Sequence, residues 1–109
     1  MFLSLKQLKS QDYSIDWSRS FGGTFDDEAN AICSSFDTSV IIAGFHWSTD
    51  GDVLNWYEQQ DIWLVNVSNE GLINWQRTIG GSLQDVAMSI YPTNDSSFIV
   101  CGYTMSNDG

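Results

Sequence analysis

The chain is poor in proline, histidine, cysteine and basic residues. It contains one proline, one histidine, two cysteines and four Lys or Arg residues among 109. The single histidine, His46, is accompanied by no nucleophile motif and no repeated partner, so we expect that the protein is not an enzyme. Fourteen acidic residues give a net charge of −10, which repels phosphate backbones and anionic lipid surfaces. We therefore expect no nucleic-acid partner.

Long apolar segments are also missing. No apolar stretch approaches the ~20 residues that span a bilayer, so the sequence predicts no membrane span. The apolar residues at 1–5 are interrupted by Lys6, and no small-residue cleavage site follows, so we read no signal peptide there. What is abundant is apolar and aromatic side chains, at 42% and 14% of the chain, and this composition indicates a folded protein.

The most informative feature that is present is an internal repeat. Residues 15–51 align without a gap with residues 73–109, which lie 58 positions further on, and 15 of the 37 aligned residues are identical. A fixed long period indicates a supersecondary unit that needs copies of itself to bury its apolar face. The two cysteines, Cys33 and Cys101, are not equivalent in the repeat. We therefore expect buried free thiols rather than a repeated disulfide or metal site.

Each repeat has the composition of short β-strands. Runs of β-branched and aromatic residues alternate with turn residues, and no segment has the apolar spacing of an amphipathic helix. In the second copy these runs predict strands at 61–67, 73–79, 85–91 and 97–104, joined by turns at 69–71, 80–82 and 93–96. In the first copy they predict strands at 15–20, 27–34 and 39–46, preceded by a degenerate strand at 2–8. Turns this short favour antiparallel meanders.

We therefore predict an all-β fold of two four-stranded antiparallel blades of the β-propeller type. The first blade covers residues 1–51, an inter-blade loop covers 52–60, and the second blade covers 61–109. A closed propeller needs about 4 to 8 blades. Two blades would expose large apolar end faces, so we expect self-association or further blades.

The recurring residues also predict structural contacts. Trp17 and Trp75 are expected to pack between blades. The arginine that lies two positions after each tryptophan precedes a recurring aspartate, Asp27 or Asp85, by eight residues. A hairpin would bring these charges together, and we hypothesise one structural ion pair in each repeat.

The repeat resembles that of bacterial secreted β-propeller-repeat proteins. The shared pattern is Trp-x-Arg-x-x-Gly-Gly-x-x-x-Asp-x-Ala, followed by Gly-[Phe/Tyr] and Ser-x-Asp-Gly, and the similarity covers residues 15–109. The resemblance implies an extracellular or cell-surface propeller that serves as a non-catalytic binding or scaffold module. It implies no catalytic residues.

Aromatic residues near the link between the repeats are the candidates for ligand binding. Trp47, Trp56, Tyr57 and Glu58 place rings beside a carboxylate, an arrangement that can stack on sugars or contact a protein. The alternative is that these residues cover a sheet edge or pack between blades.

The Ser-x-Asp-Gly sequences offer a second candidate site. Asp50 and Asp52 place two carboxylates around a glycine, and Ca²⁺ accepts such hard oxygen ligands. The ligand set is incomplete and Asp-Gly is a common turn dipeptide, so we expect a simple turn without any cofactor, and a Ca²⁺ site is the alternative.

The function that these observations favour is a non-catalytic propeller module that recognises a glycan or a protein through loops on one rim. A purely structural surface or filament component is the alternative, and a propeller-type hydrolase is the third hypothesis.

Overall fold

The structure is a computed structural model that describes residues 3–8 and 15–109. These residues form eight β-strands and no helix, and therefore no helix that could cross a membrane. The strands are β1 Leu3–Leu8, β2 Ile15–Phe21, β3 Asp27–Ser34, β4 Val40–His46, β5 Asp61–Val67, β6 Ile73–Ile79, β7 Asp85–Pro92 and β8 Phe98–Thr104. The predicted all-β class and the strand positions are confirmed; Phe2, the predicted start of the first strand, lies outside the described residues.

The strands form three antiparallel sheets. Sheet A contains β1 and β2, sheet B contains β3, β4, β5 and β6 in that order, and sheet C contains β7 and β8. The three sheets do not join into one closed sheet within the described ranges.

The sheets divide the chain differently from the prediction. The described residues do not form the expected pair of four-stranded sheets, β1 to β4 and β5 to β8. Instead β4 and β5 pair along their whole length, from Val40 opposite Val67 to His46 opposite Asp61. Sheet B thus joins the last two strands of one repeat to the first two of the next. The segment 52–60 connects strands of this one sheet, and the turn at 80–82 leads from sheet B to sheet C.

Sheet B is the middle layer and is apolar on both faces. The core between sheets A and B consists of Phe21, Ile42, Val53, Trp63, Val65 and Val67. The core between sheets B and C consists of Ile41, Ala43, Leu64, Ala87 and Ile90. Successive residues of a strand point to opposite faces, so the central strands β4 and β5 are apolar at nearly every position.

Gly44 and Gly102 occupy the same place in sheets B and C. A Cβ on Gly44 would lie 1.8 Å from the carbonyl oxygen of Glu28, and one on Gly102 would lie 1.9 Å from that of Val86. The pairing of the neighbouring strand shifts by one residue opposite each glycine. Glycine recurs here because the two strands approach too closely for a side chain.

Two predictions about burial are not fully confirmed. Trp17 packs against the core between sheets A and B as predicted, whereas Trp75 is 44% exposed. Sheet C packs mainly on β3, β4 and β5, and it leaves Trp75 on β6 partly exposed. Both cysteines are free thiols, but Cys33 is half-buried and Cys101 is exposed, which corrects the expectation that both are buried.

Candidate functional site

A buried aspartate fastens two loops together in each repeat. Asp27, at the start of β3, is fully buried. Its carboxylate accepts hydrogen bonds from the N–H of Gly23 at 2.9 Å, the N–H of Ser48 at 3.2 Å and the hydroxyl of Ser48 at 2.7 Å. The N–H of Trp47 donates to the same carboxylate at 3.2 Å. We call Asp27 with the loops 22–26 and 47–52 the first clasp.

Ser48 and Asp50 complete the first clasp. The hydroxyl oxygen of Ser48 accepts the N–H of Phe25 at 2.9 Å. The carboxylate of Asp50 accepts the N–H of Thr24 at 2.8 Å and also the Thr24 hydroxyl. These two hydrogen bonds lower the pKa of Asp50 below its ordinary value. Asp50 is therefore ionised at neutral pH and bound to the opposite loop.

The second of the two predicted calcium ligands, Asp52, is also bound to the main chain. Its carboxylate accepts the N–H of Gly22 at 3.0 Å, and its own N–H donates to the Gly22 carbonyl at 2.9 Å. Within residues 3–8 and 15–109, no group of three or more His, Cys, Asp or Glu side chains is arranged to hold a metal ion. The role that the contacts of Asp50 and Asp52 support is to fasten the loops.

Asp85 organises the second clasp, formed with the loops 80–84 and 105–109. Its carboxylate accepts the N–H of Gly81 at 2.9 Å and the hydroxyls of Ser106, at 2.8 Å, and of Thr104. Burial alone would raise the pKa of Asp85, but these hydrogen bonds outweigh burial and lower it. The two clasps therefore explain why Gly-Gly, Asp and Ser recur at fixed spacing.

The ion pairs hypothesised for the recurring arginines are wrong. Among the described residues, the carboxylates of Asp27 and Asp85 are bound by amide and hydroxyl donors of the loops. Arg19 and Arg77 are exposed on β2 and β6. The hypothesis assumed a hairpin between each arginine strand and the following strand, but these strands belong to different sheets.

His46 lies inside sheet B, directly opposite Asp61, and both side chains are fully buried. Its Nδ1 donates to the carbonyl oxygen of Ser48 at 3.0 Å, and its Nε2 lies 3.1 Å from the hydroxyl oxygen of Thr78. The ring also packs edge-on against Trp63. Burial lowers the pKa of His46, so the ring is neutral at pH 7. These contacts make the single histidine a core residue that is shielded from any substrate in solvent.

Asp61 is the one described residue with a buried side-chain oxygen that has no hydrogen-bond partner. Its Oδ2 accepts the N–H of Tyr57 at 2.7 Å, whereas its Oδ1 is unpaired. A Cβ built on Gly80 would lie 2.2 Å from Asp61 Oδ1 and 2.9 Å from Asp85 Oδ2, so the two carboxyl groups flank Gly80. Burial raises the pKa of Asp61, and the charge of Asp85 adds to this effect.

An open cavity of about 370 Å³ lies between the segment 52–60 and the second clasp. Its lining consists of Tyr57, Glu58, Gly81, Ser82, Asp108 and Gly109. We call it the Tyr57 cavity. The lining thus combines an aromatic residue, two acidic residues and a serine whose hydroxyl donates to Asp108 at 3.1 Å. Such a combination can stack on a sugar ring and accept hydrogen bonds from its hydroxyl groups.

The segment 52–60 that carries Tyr57 is held firmly against sheet B. Val53 is buried in the core between sheets A and B. The amide of Gln76 binds the segment twice, as an acceptor from the N–H of Leu54 at 3.3 Å and as a donor to the carbonyl of Asp52 at 2.7 Å. The hydrogen bond from the N–H of Tyr57 to the carboxylate of Asp61 fixes the end of the segment. The cavity wall is therefore largely formed before any ligand arrives.

The structure brings together two of the four predicted ligand-binding residues, Tyr57 and Glu58. Trp56 is 51% exposed beside them but does not line the cavity. Trp47 is 49% exposed and belongs to the first clasp. Ser82 and Asp108 also line the cavity and were not predicted from the sequence. Their equivalence in the repeat to Thr24 and Asp50 links them to the second clasp but does not indicate that they line a cavity.

No protein-family model matches the sequence, and comparisons with curated proteins and with solved structures find no match.

Proposed function

We propose that the protein is a non-catalytic, propeller-type binding module that recognises a glycan through the Tyr57 cavity. The observation that carries this proposal is the convergence of an exposed aromatic ring with Glu58, Asp108 and Ser82 in one preformed cavity. The net charge of −10 disfavours anionic ligands. Neutral or amino sugars fit the acceptors and the ring, and a protein loop with exposed hydroxyl groups is the second class of ligand.

The stacking of the sheets supports the propeller assignment. Sheet B is a complete four-stranded unit, and the repeat makes β2 the equivalent of its outermost strand β6. By the same equivalence, β7 and β8 correspond to β3 and β4. In this proposal the complete blade spans residues 27–79, sheet A is the outer half of the preceding blade, and sheet C is the inner half of the following one.

Isothermal titration with neutral oligosaccharides of glucose, galactose and N-acetylglucosamine tests the glycan proposal. We expect one of these sugars to bind, and Tyr57→Ala to weaken its binding about tenfold through loss of ring stacking. Trp56→Ala is the matched control, because it removes a neighbouring exposed ring that does not line the cavity, and its affinity should stay within about twofold of the parent chain. Absence of binding for all three series, or equal losses for both variants, would contradict the proposal.

The alternative of a purely structural component is favoured by a different observation. Both outer sheets present apolar residues and a strand edge to solvent, and these features suit assembly rather than ligand recognition. The hydrolase hypothesis gains no support from the described residues, since His46 is enclosed in the core.

A further inference from the structure

Residues that are equivalent in the repeat differ sharply in burial. On β4, Ile41 is 1% exposed, but its equivalent on β8, Ile99, is 56% exposed. On β7, Ile90 is 9% exposed, but its equivalent on β3, Ile32, is 53% exposed. The same residue type occupies the same place in the same motif, so each exposed isoleucine marks a surface that is covered elsewhere in the molecule.

The exposed surface around Ile99 is the outer face of sheet C. Val100 and Ile90 are paired and point towards sheet B, where they pack in the core. Their neighbours Ile99 and Tyr91 are also paired and point the other way. Tyr91 is 72% exposed. This face is equivalent to the face of sheet B on which sheet C itself packs.

The exposed surface around Ile32 is part of the opposite face of sheet B. Ile32 is paired with Ile42, which belongs to the core between sheets A and B. Sheet A has only its two outer strands, so it leaves the inner part of this face open. The resulting groove has a volume of about 200 Å³ and contains Ile32, Val40 and Trp17.

Sheets A and C are complementary halves of one sheet. Sheet A contains equivalents of β5 and β6, and sheet C contains equivalents of β3 and β4. In sheet B the two halves are joined by pairing between β4 and β5. Their counterparts β8 and β1 each have a free edge in the described chain. They cannot meet within one molecule, since sheet B lies between them and stacked sheets are about 10 Å apart.

We infer that a second copy of this chain docks head to tail, with its β8 paired to β1 and its Ile99 and Tyr91 covering Ile32. The second copy's sheet C then completes sheet A as a four-stranded sheet. The occupant is a second copy because this chain carries both surfaces of the contact, the exposed outer face of sheet C and the uncovered part of sheet B around Ile32. The contact is the one already seen between sheets B and C, repeated between molecules.

The register of this pairing follows from sheet B. Leu5 lies opposite Arg19, just as Leu64 lies opposite the equivalent Arg77. Since Leu64 also lies opposite Ala43, the equivalent of Cys101, Leu5 is expected opposite Cys101 of the second copy. The same register places Leu3 opposite Tyr103 of the second copy.

Light scattering and native mass spectrometry of the 109-residue chain test the docking. The described residues of each copy supply eight strands, so a ring of about 4 to 8 four-stranded units contains about two to four copies. We expect a discrete multiple of 12.2 kDa. Ile99→Lys should give a folded monomer, because residue 99 is exposed within one chain. Leu54→Lys is the matched control, since Leu54 is 68% exposed on the segment 52–60 and should leave the oligomer intact.

A disulfide test checks the register independently. In a Cys33→Ser background, Leu5→Cys should form a reducible bond with Cys101 of the second copy, because directly opposed Cα atoms are about 4.5 to 5.5 Å apart in such a pair. Lys6→Cys should crosslink at least tenfold less, since adjacent strand positions point to opposite faces. Adding Cys101→Ser should abolish the Leu5→Cys product.

A chain that stays monomeric at every concentration would overturn the inference, and would mean that a different polypeptide segment covers these surfaces. An oligomer that survives Ile99→Lys would overturn it as well, as would equal crosslinking from residues 5 and 6. Sugar binding is a separate readout, so failure of the glycan proposal would not produce any of these results.

Discussion

At the scale of single residues, the buried aspartates account for most of the repeat. Asp27 gathers four donors from two loops, and Asp85 gathers three. Each clasp needs a loop that lets its amides converge and a serine that bridges the two loops. The recurrence of Gly-Gly and of Ser-x-Asp-Gly therefore has a structural cause that is separate from ligand binding.

The first prediction concerns Asp27. Asp27→Asn retains the shape of the side chain but turns an –NH₂ group towards N–H and O–H donors, so it should lower the free energy of unfolding by about 2 to 4 kcal/mol. Glu28→Gln, an exposed change at the next position, should shift it by less than about 0.5 kcal/mol. Urea denaturation followed by tryptophan fluorescence measures both. A loss for Asp27→Asn as small as the control would show that the clasp contributes little to stability.

The second prediction concerns Asp61 and pH. Burial raises its folded-state pKa, so the unfolded chain ionises first as pH rises past about 3.9, and stability falls through that window until the folded carboxyl also ionises. Asp61→Asn cannot ionise. It should therefore be more stable than the parent at pH 7 and lose this advantage below about pH 4.

Asp108 provides the contrasting control for Asp61. Hydrogen bonds from the N–H and hydroxyl of Ser82 lower its pKa, so its stabilising effect is present above the ordinary carboxyl pKa and is lost as pH falls. Asp108→Asn should thus be less stable than the parent at pH 7. Urea melts between about pH 3.5 and 7.5, a range that includes the ordinary carboxyl pKa of about 4, compare the variants. A change in the free energy of unfolding of the same sign for both variants at pH 7 would refute this assignment.

At the scale of elements, the strands and the antiparallel pairs β1–β2, β3–β4, β5–β6 and β7–β8 were predictable, whereas the pairing of β4 with β5 was not. Alternating apolar residues and turn dipeptides identify each strand locally, including the degenerate β1. Pairing between β4 and β5 depends on how the segment 52–60 folds back, and Gln76 holds that segment from a strand still further along the chain. The Gly80-Gly81 turn is short enough for a hairpin, but the N–H of Gly81 binds Asp85 and the chain continues into the next sheet.

The residues of the Tyr57 cavity were likewise only partly predictable from the sequence. Tyr57 and Glu58 could be chosen from the sequence because an aromatic–acidic segment interrupts the repeat. Asp108 could not, because its place beside them depends on the packing of sheet C. The burial of Asp61 was equally hidden, since a strand that begins with aspartate usually leaves it at a solvated end.

The third prediction concerns the close approach of strands. Gly44→Ala should lower the free energy of unfolding by about 3 kcal/mol or more, because the new Cβ collides with the carbonyl of Glu28 inside a four-stranded sheet. Gly102→Ala makes the same collision in sheet C. With Ile99→Lys present in both variants to keep the chain monomeric, β8 has a free edge and can shift, so the loss for Gly102→Ala should be about half as large. Thermal melts of both variants check this. Equal losses would mean that β8 is held as firmly as β4.

At the scale of the whole molecule, charge opposes the proposed head-to-tail assembly. Each copy carries a net charge of −10, whereas the docking surfaces are apolar. Salt should therefore strengthen association, because raising ionic strength from about 0.01 to 0.15 M shortens the screening length from about 30 to 8 Å. Sedimentation equilibrium at the two ionic strengths measures the effect. Weaker association at the higher salt would show that ion pairs dominate the contact.

Because sheet B combines strands from two successive repeats, the chain can lengthen by whole repeat periods. Sheet B begins at Asp27, and the equivalent strand of sheet C begins at Asp85, so residues 27–84 form one complete period that starts and ends between sheets. Duplicating the corresponding stretch of the gene would add one whole four-stranded layer. Sheets A and C would remain two-stranded and would still be complementary to each other. Adding whole periods would therefore change the diameter of the proposed assembly while the contact between sheets A and C of neighbouring copies stays the same.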